Sequence, residues 1–365
     1  MSKILMSTFV LFFSFHAIAF GQIAIPPPGI ITTVAGSNGT LPGYSGDGGL
    51  AIKAKLSTCA YGACGGIAAD RYGNLFISDE GNTAIREIFA STGIITTIAA
   101  STVAAGLAVD SNDNLYFTDG YSAVYERNAS TGAITKIAGQ NQSGPSFIGE
   151  GGPAVDAYLN DPQGIALDSS NNIYVADTRN GVIREISATS KDITTVAGIN
   201  GDNGPCYGSG PCTGDGGPAT SAIFYYPTEL AIDSANNIYV TDSMNERVRK
   251  VTAATGIITT VAGNGSNYTS GNGGPAVEAG ISVGSGLAVD LSGNLFIGES
   301  GDIRKVTAST GIISQITASG NGNDANTGDG GPASSALVAP TNLAIDKNNN
   351  LYLSTTTSIR AIGGP

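Results

Sequence analysis

The sequence predicts an all-β fold, a six-bladed β-propeller of four-stranded antiparallel blades whose last blade is completed by the N-terminal strand. Three observations carry that expectation. Short runs of Ile, Val, Thr, Tyr and Phe are bounded by Gly, Asn and Asp, and 52 glycines with only 13% charged residues over 365 positions fit an all-β chain with room for a large core. One supersecondary unit recurs six times. The stretch GIITTVAG, which closes a unit at 256–263, also stands at 29–36 with no unit before it.

Residues 1–21 read as a signal peptide. Lys3 precedes the apolar run ILMSTFVLFFSF, and Ala19-Phe20-Gly21 places small residues ahead of a cleavage expected before Gln22. That run is shorter than the ~20 apolar residues a membrane-spanning helix needs. No cysteine follows it to carry a lipid. The expected product is residues 22–365, a single propeller domain that is secreted, periplasmic or at the cell surface and not inserted into a membrane. Cleavage also removes His16, the one histidine of the chain.

Each unit opens on an apolar run ending in Asp, with Asn four residues on: Asp70 and Asn74, Asp110 and Asn114, Asp168 and Asn172, Asp233 and Asn237, Asp290 and Asn294, Asp346 and Asn350. Three further strands follow, which in the third unit are NIYVAD (172–177), VIREI (182–186) and ITTVAG (193–198). Four alternating strands joined by tight turns make one blade. The Asp is expected to cap backbone N–H groups of its turn. The sixth unit supplies only NLAID, NLYLST and SIRAI before the sequence ends at Pro365, so the strand at 30–35 is expected to pair beside 358–362 and close the ring.

The segment LAIDSANNIYVTDSMNERVRK at 230–250 resembles the signature of the NHL repeat family, and similar segments cover nearly all of residues 22–365. The resemblance implies a six-bladed propeller, most like exported bacterial members whose blades are joined by GDGGPA segments. Three positions depart from the pattern. Tyr125 stands where other units carry Arg86, Arg184, Arg249, Arg304 and Arg360, while Glu299 and Thr355 replace the Asp that ends the second strand.

Strand order gathers the blade-to-blade crossings and the second-to-third loops on one face, where function is expected. Five crossings carry GDGGLA (46–51), GEGGPA (149–154), GDGGPA (214–219), GNGGPA (271–276) and GDGGPA (328–333), read as a packing device because Pro-Ala suits the start of a short helix. The crossing between blades one and two, AASTVAAG at 99–106, lacks it and should leave a notch. Cys59 with Cys64, and Cys206 with Cys212, are the favoured disulfides among three pairings, since each pair lies within one crossing.

Aromatic residues in the crossings are the candidate ligand contacts: Tyr44, Tyr61, Tyr207 and Tyr268, with Tyr and its hydroxyl suited to sugars or peptides. Asp324, Asn326 and Asp329 are the candidate oxygen ligands should calcium be a cofactor. A formal net charge of −12, from 17 Lys and Arg against 29 Asp and Glu, excludes nucleic acid as the expected partner. Without His16, histidine-dependent acid–base and metal chemistry is excluded too. The expected function is therefore a non-enzymatic binding or scaffold module for protein, peptide or glycan. The alternative is a calcium-dependent hydrolase of lactonase type, with the unrepeated Glu80 and Glu299 as its carboxylates.

Overall fold

A computed structural model describes residues 22–36, 42–60, 63–140, 148–199, 214–284, 286–320 and 326–364, so the expected signal peptide lies outside it. Six four-stranded antiparallel sheets form the blades. Their innermost strands run over Ile67–Ala69, Leu107–Val109, Pro162–Leu167, Pro227–Ile232, Leu287–Val289 and Asn342–Ile345, each beside the next around a ring that returns to the first. Second strands such as Ile173–Asp177 and Ile238–Asp242 are buried along their whole length, because each blade is covered on both faces by its neighbours.

The core follows from that geometry. Six apolar clusters fill the six interfaces between adjacent blades, for example Ile165, Val175 and Ile193 of blade three against Val124 and Ala138 of blade two. The interface between the last and first blades is built the same way, with Val34, Tyr352 and Ile359 against Ile67, Ile77 and Ile95. Closure is as expected: Ile31–Gly36 is the outermost strand of blade six, with Ile31 opposite Ile362 and Gly36 opposite Ser358.

The turn aspartates do what their spacing predicts. Asp110 Oδ1 accepts the N–H of Asn112 at 2.8 Å and of Asn114 at 2.9 Å, while its Oδ2 accepts from Asn114 Nδ2 at 3.0 Å. Asn114 Oδ1 then accepts the Ala129 N–H at 3.0 Å, tying the first turn of the blade to the turn between its outer strands. The same set recurs at Asp168 with Asn172. One carboxylate thus satisfies three donors that a two-residue turn would leave exposed.

The GDGGPA segments prove to be edge covers. After each, a 3₁₀ turn starts at the alanine: Ala51–Lys53, Ala154–Asp156, Ala219–Ser221, Ala276–Glu278 and Ala333–Ser335. The glycines lie along the outermost strand of the blade that follows. Gly216 donates to the Ile258 carbonyl at 2.8 Å and Ile258 donates to Gly217 at 3.1 Å. Gly216 sits at φ +79°, a conformation that favours glycine and lets the segment turn back onto the edge. Covering an edge strand in this way removes a surface for unwanted pairing.

Candidate functional site

Each edge cover also delivers a polar side chain to a buried arginine on the third strand. Arg86, Arg184, Arg249, Arg304 and Arg360 are all fully buried. Arg86 Nη2 lies 2.6 Å from Asp47, Arg184 Nη2 3.3 Å from Glu150, Arg249 Nη2 2.6 Å from Asp215 and Arg360 Nη2 2.7 Å from Asp329. In blade five the neutral Asn272 takes this place and accepts from Arg304 Nε at 3.0 Å. From the other side, the residue ending the second strand faces the same guanidinium: Asp79 at 3.5 Å, Asp177 at 3.9 Å, Asp242 at 3.3 Å and Glu299 at 3.4 Å. An aromatic ring completes two of these clamps, Tyr44 at 5.2 Å from Arg86 and Phe224 at 5.7 Å from Arg249.

Burial raises the pKa of Asp79, Asp177 and Asp242 above the ordinary carboxylate range, Asp177 to about 6, even with a guanidinium beside each. These carboxylates also accept backbone N–H groups from the crossing, as Asp177 does from Asn160 at 2.7 Å. Their work is structural. They join the inner blade to the loop layer above it.

Blade two lacks the clamp, and a cavity of about 240 Å³ stands there instead, lined by Ser101, Thr102, Val103, Phe117, Asp119, Tyr125 and Ile134. This is the notch that the short crossing predicts. Tyr125 occupies the arginine position and stacks on Phe117, with ring centroids 5.3 Å apart. Asp119 is the equivalent of Asp79 and Asp242. Its Oδ1 accepts the N–H groups of Tyr121, Ser122 and Ala123 at 2.8, 2.8 and 3.0 Å. Burial, and then the Asp119 carboxylate, hold the Tyr125 hydroxyl above its ordinary pKa. The cavity is small, aromatic and acidic, and it runs from the crossing residues 101–103 to Ile134 on the outer strand.

The other expected site residues separate into groups. Tyr268 is 79% exposed on the crossing face. Tyr44 is partly exposed but occupied: its ring lies on Arg86 and its hydroxyl meets Thr97 at 2.7 Å and Asp47 at 3.1 Å, so it is a lid on the first clamp. Glu299, read as unrepeated, performs the repeated job of the second-strand aspartates. It pairs with Arg304 and accepts Thr269 Oγ1 at 2.6 Å. Glu80 opens the 3₁₀ turn Glu80–Asn82, next to Asp79. The structure does not bring Glu80 and Glu299 together, since they belong to blades one and five.

Asp329 is committed to Arg360, and Asn326 Oδ1 accepts the Ala339 N–H at 3.3 Å. Asp324, Tyr61, Tyr207, Cys206 and Cys212 lie outside the described residues. Cys59 and Cys64 form a disulfide across two short paired strands, as expected. Among the described residues no group of three or more His, Cys, Asp or Glu is arranged to hold a metal ion. Among them, too, no helix is long and apolar enough to cross a membrane.

One site residue was missed from the sequence. Glu229 stands four residues before Asp233, where four other units have Gly66, Gly106, Gly164 and Gly286 and the last has Asn342. Those glycines let adjacent innermost strands pack closely; a Cβ on Gly164 would fall 2.3 Å from the Thr228 carbonyl oxygen. At 229 and 342 side chains enter the central channel instead. Asn342 Nδ2 reaches Glu229 Oε1 at 3.4 Å and Oε2 at 3.5 Å, across blade five. Enclosure pushes the Glu229 carboxyl up to about 7, although part of its surface touches the lumen. The signal was visible in the sequence as ELAID and NLAID among four runs that begin with Gly.

Comparison with known proteins agrees with this architecture. A family model described as NHL repeat matches residues 159–184. Teneurin-1 of Homo sapiens is 30% identical over 336 residues, covering 80% of this chain and 12% of that protein. The chain thus spans about an eighth of such a relative's length. Among solved structures, an auxiliary nutrient binding protein from Bacteroides ovatus superposes with a TM-score of 0.62 at 11% identity, covering 91% of this chain and 76% of that one. A gluconolactonase from Xanthomonas campestris superposes with a TM-score of 0.54 at 12% identity, covering 93% and 99%. At these identities both structures speak to the fold alone.

Proposed function

Since the chain belongs to the NHL repeat family, whose propeller is a rigid scaffold with loops on one face, we infer that it is an exported, non-enzymatic binding module. The site is the blade-two gap, and the ligand is a protein, peptide or glycan. The observation that carries this reading is the coincidence of two losses in one blade. The edge cover with its acidic side chain and the buried arginine are both absent there, Asp119 alone remains of the clamp, and an aromatic cavity of about 240 Å³ stands in its place. Random drift would erode one part of a clamp and leave a buried charge behind, which is costly. Blade two has instead been remade as a consistent surface. The Cys59–Cys64 disulfide fits an oxidising compartment. A solved propeller of the same fold is a nutrient binding protein.

Glycan and peptide arrays probed with the purified protein test the reading. Ligands found there should bind Tyr125→Ala at least tenfold more weakly under conditions where the variant stays folded, with Tyr268→Ala testing the exposed ring between blades four and five. Arrays that stay blank, or ligands indifferent to Tyr125→Ala, would remove it.

The alternative, a calcium-dependent hydrolase of lactonase type, is favoured by the Glu229–Asn342 pair in the channel. A carboxylate and an amide there are suitable oxygen ligands, but they are only two. Lactone hydrolysis that EDTA abolishes, together with a calcium-dependent rise in Tm, is what this reading requires. Absence of both disposes of it.

A further inference from the structure

The blade-two gap has the outline of a clamp with its covering strand and its cation removed. We propose that a partner restores both: an extended, basic peptide segment pairs with the open edge Ile134–Ala138 and lays an Arg or Lys side chain against Tyr125 and Asp119. This deepens the binding reading above and rests on it.

The backbone half of the argument comes from the other blades. In blade one, Gly48 donates to the Ile95 carbonyl at 2.9 Å, Ile95 donates to Gly49 at 3.0 Å, and Ala51 donates to Gly93 at 2.8 Å. The same three bonds recur at Ile258 and Gly256, at Ile313 and Gly311, and at Ile31 and Gly29. By register, Ile134 and Gly132 hold these places in blade two, since Arg127 opposite Ile134 matches Ile88 opposite Ile95. Among the described residues no crossing pairs with them, and Ile134 is 43% exposed. An open edge of this kind accepts an extended peptide through main-chain hydrogen bonds.

The side-chain half comes from the clamps themselves. In blades one and four a guanidinium lies between the carboxylate ending the second strand and an aromatic ring. Blade two keeps the carboxylate, Asp119, and two stacked rings, Phe117 and Tyr125, but has no cation between them. Asp119 Oδ1 is taken by three loop amides, which leaves Oδ2 without a partner among the described residues. The peptide would occupy the path of the edge cover, so its side chain would enter the cavity from the side used by Asp47 and Asp215. The formal charge of −12 attracts a basic segment and works against a second copy of this chain. A neutral sugar offers Asp119 no countercharge. Lys136, opposite Tyr125 in the ladder, has no ion pair among the described residues, and its charge would repel an incoming cation.

An array of random heptapeptides carrying Arg, Lys, citrulline or Glu at the centre, probed with the purified protein, tests the proposal. Arg and Lys centres should be captured at least tenfold above citrulline, with Glu at background. Asp119→Asn keeps an oxygen for the loop amides and should reduce capture about tenfold. N-methylation of alternate peptide residues should abolish it, and Lys136→Ala should strengthen it. Tyr125→Arg, which rebuilds the internal cation, should block capture without lowering Tm. Equal capture of Arg and citrulline peptides, indifference to Asp119→Asn, or no capture at all would overturn the proposal. Neutral peptides or sugars that are displaced by Tyr125→Arg would remove the basic peptide and leave the binding site. Ligands that ignore Tyr125→Arg would remove both.

Discussion

The five buried arginines show how one residue type can be indispensable in the fold and silent in function. Each guanidinium is sealed from water, so its ion pairs matter chiefly through what happens when one partner is lost. Arg249→Ala would strand Asp242 in a fully buried position and leave Asp215 and the Phe224 ring without their cation. The expected cost is about 3–5 kcal/mol, read from urea unfolding. A change within 1 kcal/mol would mean that the clamp is ornamental. Glu229 makes a prediction of the opposite kind. Its carboxyl is pushed up to about 7 from the ordinary glutamate value of 4.5, so it favours the folded state when protonated. Its contribution is present below pH 4.5 and is lost as pH rises through 7. Glu229→Gln should therefore match the parent in unfolding free energy at pH 4.5 and exceed it at pH 8, by about 1 kcal/mol after allowing for solvent screening in the channel. Parallel pH profiles for the two proteins would refute that sign.

At the scale of elements, the edge cover links facts that look unrelated along the chain. Gly-Asp-Gly-Gly-Pro-Ala reads as a turn followed by a short helix, and both parts form. Its place alongside the following blade, and the aim of its Asp at an arginine 34 residues later, depend on a pairing distant in sequence. Blade two is intelligible only in those terms. The short crossing 99–106 and the substitution at Tyr125 belong together, because without a cover an arginine there would lose the acid that the other covers supply. A cover of this kind also places Asp329, whose Oδ1 accepts from both Nε and Nη2 of Arg360.

On the scale of the whole molecule, stability depends on the ring being closed. Six apolar interfaces link the blades, and the one between blades six and one includes Val34 and Ala35 from the N-terminal strand. Deleting residues 22–36 would open the edge Ser358–Ile362 and uncover the Ile31 contacts in a second cluster. The shortened protein should melt at least 10 °C lower and elute as aggregates on size exclusion. A monomer with the parent Tm would show that closure is dispensable.

Composition, repeat spacing and the orphan strand were enough to establish an all-β, six-bladed closed propeller, the turn aspartates and the notch. Those features rest on local chemistry and on a repeat legible along the chain. The site was not legible in the same way. Tyr44 and Glu299 looked available and are spent on arginines, whereas Glu229, hidden in a run taken for scaffold, faces the channel. Residues that meet across blades share no sequence window, and only the folded ring decides which carboxylates have found a cation and which, like Asp119, have not. Burial makes that distinction energetically large, because a charge removed from water must be paired by the chain itself or by what the chain binds.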